Sequence, residues 1–215
     1  TSLIQNFIRD LYVGHDGVLW IASEGGGITR FDPVTQQFTS YRSTPDDPEG
    51  ESYIGDRPSV IYEDSRGHIW AGGANAVGLT DFDPGTETPQ TYFSAEVIAD
   101  GFAGSRVQDI LEDDNQMLWL AVGTAINRFD LSSQQFVASY DLSSFDESSA
   151  NSLLIDSHSQ LWMGGGNGLY RYNAQTDEFD LVTSIRGVND LTESIDGLLW
   201  LTTSHGIVRV DPQTG

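Results

Sequence analysis

Five tryptophans, Trp20, Trp70, Trp119, Trp162 and Trp200, occupy the same place in five copies of one sequence pattern. Each follows an apolar residue, Leu19, Ile69, Leu118, Leu161 or Leu199, and each precedes Ile21, Ala71, Leu120, Met163 or Leu201. An aliphatic residue stands at a fixed distance upstream: Leu11, Ile61, Ile110, Leu153 or Leu191. Downstream, an aromatic or aliphatic residue precedes Asp or Asn, as Phe31-Asp32, Phe82-Asp83, Phe129-Asp130, Tyr172-Asn173 and Val210-Asp211. The period of roughly 40–50 residues is that of propeller blades. A chain of 215 residues built this way is one repeat array.

Within the second copy the pattern resolves into four short β-prone runs. Val60–Asp64 is followed by the turn Ser65–Gly67, and His68–Ala71 supplies a second strand. Gly78–Phe82 and Gln90–Phe93 give a third and a fourth, separated by Asp83-Pro84-Gly85-Thr86. Runs of Val, Ile, Trp, Phe and Tyr bounded by Gly, Pro, Asn and Asp predict antiparallel strands and hairpins. In Leu19-Trp20-Ile21 and Leu118-Trp119-Leu120 neighbouring residues point to opposite faces, yet all are apolar. Such a strand is covered on both sides, which a stack of blades provides. The expected fold is an all-β propeller of four-stranded antiparallel blades over 1–215. Its blades run approximately over 1–41, 58–93, 106–140, 150–181 and 188–215, the last lacking its outer strand. All five Trp rings are expected between sheets as packing wedges; a sugar-stacking platform is the functional alternative.

The glycine clusters Gly25-Gly26-Gly27, Gly72-Gly73 and Gly164-Gly165-Gly166 precede strands, not helices, so they do not read as phosphate loops. They are expected to supply positive φ in hairpin turns. The Asp-Pro pairs at 32–33, 83–84 and 211–212 fit type I turns. Arg30, Arg128, Arg171 and Arg209 recur just before the closing residue of the third strand, where they are expected to pair with carboxylates; Asp81 takes that place in copy two.

Thirty-two acidic residues against ten basic ones, all Arg, give a net charge of −22. That charge repels phosphate backbones and argues against nucleic acid as a partner. A solvated surface and adaptation to a salty medium both account for it. The chain has no Cys, which removes disulfides and thiol chemistry. Its longest strongly apolar run, Leu118–Val122, is too short to span a bilayer.

Catalytic signatures are missing from the pattern. His15, His68, His158 and His205 fall at four different places in the repeat, with no HExxH and no Gly-x-Ser-x-Gly elbow. Glu112-Asp113-Asp114-Asn115 lacks the EF-hand spacing and reads as a turn that caps its own backbone. No catalytic residue, metal ligand or cofactor is expected. Sequence varies most in the connections between copies, which line one end of the blades together with the second hairpins, where rigid scaffolds carry ligand contacts. Candidate ligand-binding residues there are Tyr53, Arg57, Asn75, Arg106, Asn167 and His205.

Ile8–Leu11, Gly17–Ala22, Gly26–Pro33 and Phe38–Tyr41 together follow the order of the two-component regulator propeller repeat, which the chain resembles along its whole length. That consensus runs approximately Val-x-x-Ile-x-Glu-Asp, Gly-x-Leu-Trp-Ile-Gly-Thr, Gly-Gly-Leu-x-Arg-Phe-Asp-Pro-x-Thr-Gly and Phe-x-x-Tyr. Here Pro58 replaces the first Val of copy two, and the Gly after the Asp-Pro-x-Thr turn survives only as Gly215. The resemblance implies a periplasmic or extracellular, non-catalytic sensor or interaction module of a membrane-bound signalling protein, a hybrid histidine kinase or a diguanylate cyclase. Its ligand would be a small molecule, saccharides included. The virginiamycin B lyases are similar propellers and imply the alternative, a metal-dependent elimination by convergent His and acidic groups, which map onto no matching motif here. A protein-interaction scaffold is a third reading.

The last copy stops at the turn Asp211–Gly215 that leads in copies one and three to Phe38 and Phe136. The expectation is a piece of a longer array whose open faces invite a second copy. Ser2-Leu3-Ile4-Gln5 is the one segment placed to supply the missing strand.

Overall fold

In a computed structural model, described over residues 2–41, 57–73, 79–92, 106–145 and 149–214, the chain is a series of twisted antiparallel sheets. The first holds β1 (Ile8–Val13), β2 (Leu19–Ser23), β3 (Gly27–Asp32) and β4 (Gln37–Tyr41) in sequential order. The second holds β5 (Pro58–Glu63), β6 (Ile69–Gly73), β7 (Leu79–Asp83) and β8 (Thr88–Thr91). The third is β9 (Val107–Glu112), β10 (Met117–Val122), β11 (Ala125–Asp130) and β12 (Gln135–Asp141). A fourth contains β13 (Ala150–Ile155), β14 (Leu161–Gly165), β15 (Leu169–Asn173) and β16 (Glu178–Thr183). The fifth has three strands, β17 (Val188–Glu193), β18 (Leu199–Thr203) and β19 (Gly206–Val210). These are propeller blades. A 3₁₀ turn over Leu142–Phe145 is the one helical element among the described residues. Residues 2–7 form no strand, so Ser2–Gln5 does not complete the fifth sheet.

The blades fall into two compact units, the first over residues 1–99 and 105–107, the second over 100–104 and 108–215. In the first, Trp20, Ala22 and Ile28 of blade one pack on Ile61, Ile69, Ala71 and Phe82 of blade two. In the second, Trp119, Ala121 and Ile126 of blade three meet Leu153, Leu161, Met163 and Tyr170 of blade four. Trp162 and Leu169 of blade four likewise meet Val188, Leu191, Leu199 and Leu201 of blade five. In these three joints one blade offers the Trp, and the next answers with the aliphatics flanking its own. Four Trp rings are buried as expected, but Trp200 is 40% exposed. Its burial needs a following sheet, and none covers it here.

Polar contacts fix the register of these joints. Asp10 accepts the amide of Leu11 on Oδ1 at 2.8 Å and the amide of Ile61, on the next blade, on Oδ2 at 2.9 Å. Asp109 repeats this with Ile110 at 2.8 Å and Leu153 at 2.7 Å. Near the turn after strand one, Glu63 accepts the His15 amide at 2.8 Å and Glu193 the Ser157 amide at 2.7 Å, each from the preceding blade. On the outer strands, Tyr41 donates to Glu87 at 3.4 Å and Tyr140 to Asp177 at 2.7 Å.

Each buried Trp in copies two to four is anchored by an Asp six residues upstream: Trp70 Nε1 to Asp64, Trp119 to Asp113 and Trp162 to Asp156, all at 2.8 Å. The same carboxylates cap the intervening turn, as Asp113 does for the amides of Asn115 and Met117 at 2.8 and 3.1 Å. Copies one and five have Gly14 and Ser194 there.

Two expectations need correction. Gly72 and Gly164 are strand residues rather than turn residues. At Gly164 a Cβ would lie 2.5 Å from Val188 Cγ1, so the absence of a side chain lets blade five close in. Arginine pairing is also only partly carboxylate. Arg128 lies 3.4 Å from Asp177 but also 5.3 Å over the Trp119 ring, and Arg209 lies 6.0 Å over Trp200. Each faces its Trp directly across the β2–β3-type ladder, as Arg171 does, and that register was not anticipated.

Candidate functional site: the entry edge of the blades

The first strand of each blade begins at the same end where its second hairpin turns. Within the first unit this end of the blades holds the β2–β3 turn and the residues that precede β5 and β9; within the second it holds the β14–β15 and β18–β19 turns. The charged and titratable residues at these ends differ between the two units.

In the first unit, Glu24 sits in the β2–β3 turn and takes Arg9 Nε at 3.0 Å, with a second contact from Arg9 Nη2. Hydrogen bonding to Arg9, then its charge, holds the Glu24 carboxyl below the usual range, and the charges of Arg57 and Arg106 add to the effect. Arg57 and Arg106 are exposed, immediately before β5 and β9, and donate no hydrogen bond among the described residues. Three of the ten basic residues thus act on one half-buried carboxylate in a chain of charge −22. Arg9 was missing from the sequence-based candidates. It is the extra residue of a β-bulge between Ile8 and Asp10, a feature that re-aims a side chain and leaves no mark in strand alternation.

In the second unit, Asn167 and His205 are exposed at the tips of the β14–β15 and β18–β19 turns. A backbone chain ties these turns together: Gly166 N to Ser149 O at 3.3 Å, Gly187 N to Gly166 O at 2.8 Å, and Ser204 N to Gly187 O at 2.9 Å. Gly187 adopts φ +64 with Ser204 against it, so a side chain there is excluded on both counts. His205 Nδ1 is 2.9 Å from Ser204 Oγ, which leaves Nε2 without a partner among the described residues. Tyr53 and Asn75 lie outside the described residues.

Away from this edge, His68 Nδ1 and Asp81 Oδ1 are 2.8 Å apart beneath Trp70. Burial raises Asp81 above its ordinary value, and the His68 contact only partly offsets this. The pair stands where other copies place Arg across from Trp, and no hydroxyl is bonded to the His68 ring among the described residues. A cleft of about 580 Å³ between blades three and four is lined by Asp114, Gln160, Arg171 and Tyr172 among others.

The two-component regulator propeller model matches residues 2–25. No curated protein matches the chain in sequence. Among solved structures, the extracellular domain of a hybrid two-component system protein from B. thetaiotaomicron superposes with TM-score 0.82 at 20% identity, over 99% of this chain and 28% of that one. Virginiamycin B lyase from Staphylococcus aureus gives 0.72 at 17% identity, over 97% and 68%. PorZ, a surface component of the type-IX secretion system of Porphyromonas gingivalis, gives 0.70 at 17%, over 96% and 33%. The chain therefore spans little more than a quarter of the length of the first of these. Blade by blade this chain is a β-propeller array, and its first copy matches the two-component regulator propeller model.

Proposed function

We propose that the chain is the ligand-sensing or partner-binding part of a bacterial signalling protein. It acts outside the cytoplasm, performs no catalysis itself, and works on an attached membrane-bound signalling unit. The repeat and the likeness to an extracellular domain of a hybrid two-component system support this reading. The observation that carries it is the Arg9–Glu24 pair at the entry edge, with Arg57 and Arg106 exposed just before β5 and β9 in the same unit. Guanidinium groups are planar forks suited to carboxylate or sulfate, so a small ligand with an anionic group, such as an acidic saccharide, fits.

A glycan array of neutral and acidic sugars, followed by calorimetry, tests this. Binding of acidic members, weakened by salt and lost in Arg57→Glu with Arg106→Glu, is the expected result. Binding unaffected by that double substitution would place the ligand elsewhere. Metal-dependent turnover of a lactone or glycan, abolished by His158→Ala or His205→Ala, would favour the lyase reading over a sensor.

A further inference from the structure

Four steps in the chain set Asn or Asp before Gly: Asp16-Gly17, Asp100-Gly101, Asn167-Gly168 and Asp196-Gly197. Such a step is prone to cyclise, because glycine has no side chain to keep its amide nitrogen away from the preceding side-chain carbonyl. Asp100-Gly101 lies outside the described residues. The other three differ in how that nitrogen is held. Gly17 N donates to Gly14 O at 2.9 Å and Gly197 N to Ser194 O at 2.8 Å, each inside its turn. Gly168 N makes no hydrogen bond among the described residues, although Gly168 is buried beside Leu181 and Thr183.

The groups to be attacked differ as well. A hydrogen bond from Ser194 holds the Asp196 carboxyl below its ordinary value, and an ionised carboxylate offers no leaving group. Asn167 is a neutral amide, and it is exposed at the tip of the β14–β15 turn. A buried N–H without an acceptor is costly, and a cyclic imide has no N–H. Ring closure at Gly168 therefore removes an unfavourable group, whereas at Gly17 or Gly197 it would break a hydrogen bond.

We propose that Asn167 is a site of covalent self-modification in the folded protein, deamidation through a cyclic imide with Gly168. Gly168 N forms a bond to Asn167 Cγ, the Cγ–Nδ2 bond breaks, and Nδ2 leaves as ammonia with the amide proton. Water then opens the ring. Attack at Cγ gives an aspartyl residue; attack at the backbone carbonyl gives an isoaspartyl link, whose main chain is one carbon longer. Both products add a negative charge, but only the second changes the path of the turn. That turn is held by Gly165 N to Gly168 O at 2.9 Å, Gly166 N to Ser149 O at 3.3 Å and Gly187 N to Gly166 O at 2.8 Å. Lengthening it displaces Gly166 from Ser149 and Gly187, the residues that lead into β13 and β17. The modification is thus a slow covalent switch that loosens this edge of the second unit.

The test ages native protein in mildly alkaline buffer beside the same chain unfolded in urea. Cleavage after Arg releases Phe129–Arg171, which holds Asn151 as an internal control, and mass spectrometry follows the exchange of NH2 for OH. Native Asn167 should convert within about tenfold of the unfolded rate, since a site that needs no opening step is not protected by the fold. Asn151 should lag far behind. Asn167→Gln, whose longer side chain cannot close the same ring, should abolish the conversion. Hydrogen exchange at the Gly166 and Gly187 amides should quicken in aged protein but not in fresh Asn167→Asp, which has the charge on a normal backbone. Native protein that keeps its Asn167 amide while the unfolded chain converts would overturn the proposal, as would earlier conversion at Asn151. Exchange unchanged by ageing, or equally fast in Asn167→Asp, would overturn the switch.

Discussion

Trp70 donates its indole N–H to Asp64 Oδ2 at 2.8 Å, and neither side chain is exposed to water. The carboxylate also holds the amides of Arg66 and His68 at 2.9 and 3.0 Å, so one residue closes the strand-one turn and fixes the buried indole. Asp156 does the same for Trp162 and for the amides of His158 and Gln160. Replacing Asp156 by Ala leaves a buried indole donor and two turn amides without their acceptor. A loss of about 3 kcal/mol is expected in urea unfolding. A change below about 0.5 kcal/mol would mean that water replaces the carboxylate without penalty.

The acid limb of stability separates Asp64 from Asp81. Burial alone would raise Asp64, but hydrogen bonds from Arg66, Trp70 and His68 outweigh it and hold the carboxyl below its ordinary value. Its contribution is present above the unfolded value of about 3.9 and disappears as pH falls through the folded one. Asp81 is raised by burial, so its contribution is present below about 3.9 and is lost as pH rises through its folded value. Asp81→Asn should therefore flatten the fall in stability just above about pH 4, while Asp64→Asn should flatten the rise below it. Urea midpoints across that range read both slopes, and identical profiles for the two variants would contradict the assignment.

Volume is matched across joints, and this can be measured. Gly164 faces Val188 between blades four and five, whereas Ala121 and Ala150 lie together in the cluster between blades three and four. Gly164→Ala should cost about 1–3 kcal/mol by overpacking. Adding Val188→Ala should recover part of that cost instead of adding to it, giving a coupling of about 1 kcal/mol in a double-mutant cycle. Additive losses would show that the two positions do not meet.

Turn strain offers a gain. Gln36, Glu87, Gln134 and Asp177 adopt φ of 56 to 58°, each at the end of the third hairpin, where the repeat that the chain resembles carries Gly. Gln134 makes no inter-blade contact comparable to those of Glu87 and Asp177 among the described residues. Gln134→Gly should therefore raise stability by about 0.5–1 kcal/mol, since relief of the left-handed strain exceeds the added freedom of the unfolded chain. A fall in melting temperature would show that the Gln side chain contributes more than its backbone costs.

The blades themselves were legible because Trp, the upstream aliphatic and the Asp-turn recur at strand spacing, and local patterning decides a hairpin. Asp64, Asp113 and Asp156 were visible too, but their bond to the indole depends on the turn folding back over the ring. Exposure of Trp200 could not be read from its own copy, since burial is a property of the neighbour. Arg57 and Arg106 stood out as candidates because connections are easily recognised; Arg9 and Glu24 did not, because a bulge and a turn charge look like ordinary strand and loop. Gly164 was misread because its run of three glycines straddles the end of a strand.

Asp10, Asp109 and Asp190 stand at one repeat position in copies one, three and five, while Val60 and Ser152 hold it in copies two and four. Each of the first two serves its own strand and the one that follows, whose residue there brings no competing carboxylate. The exchangeable module is therefore a couple of unlike blades, a giver and a taker. Recombination or engineering that moves single blades would set two acids against one amide, whereas shuffling by couples would leave every such contact intact.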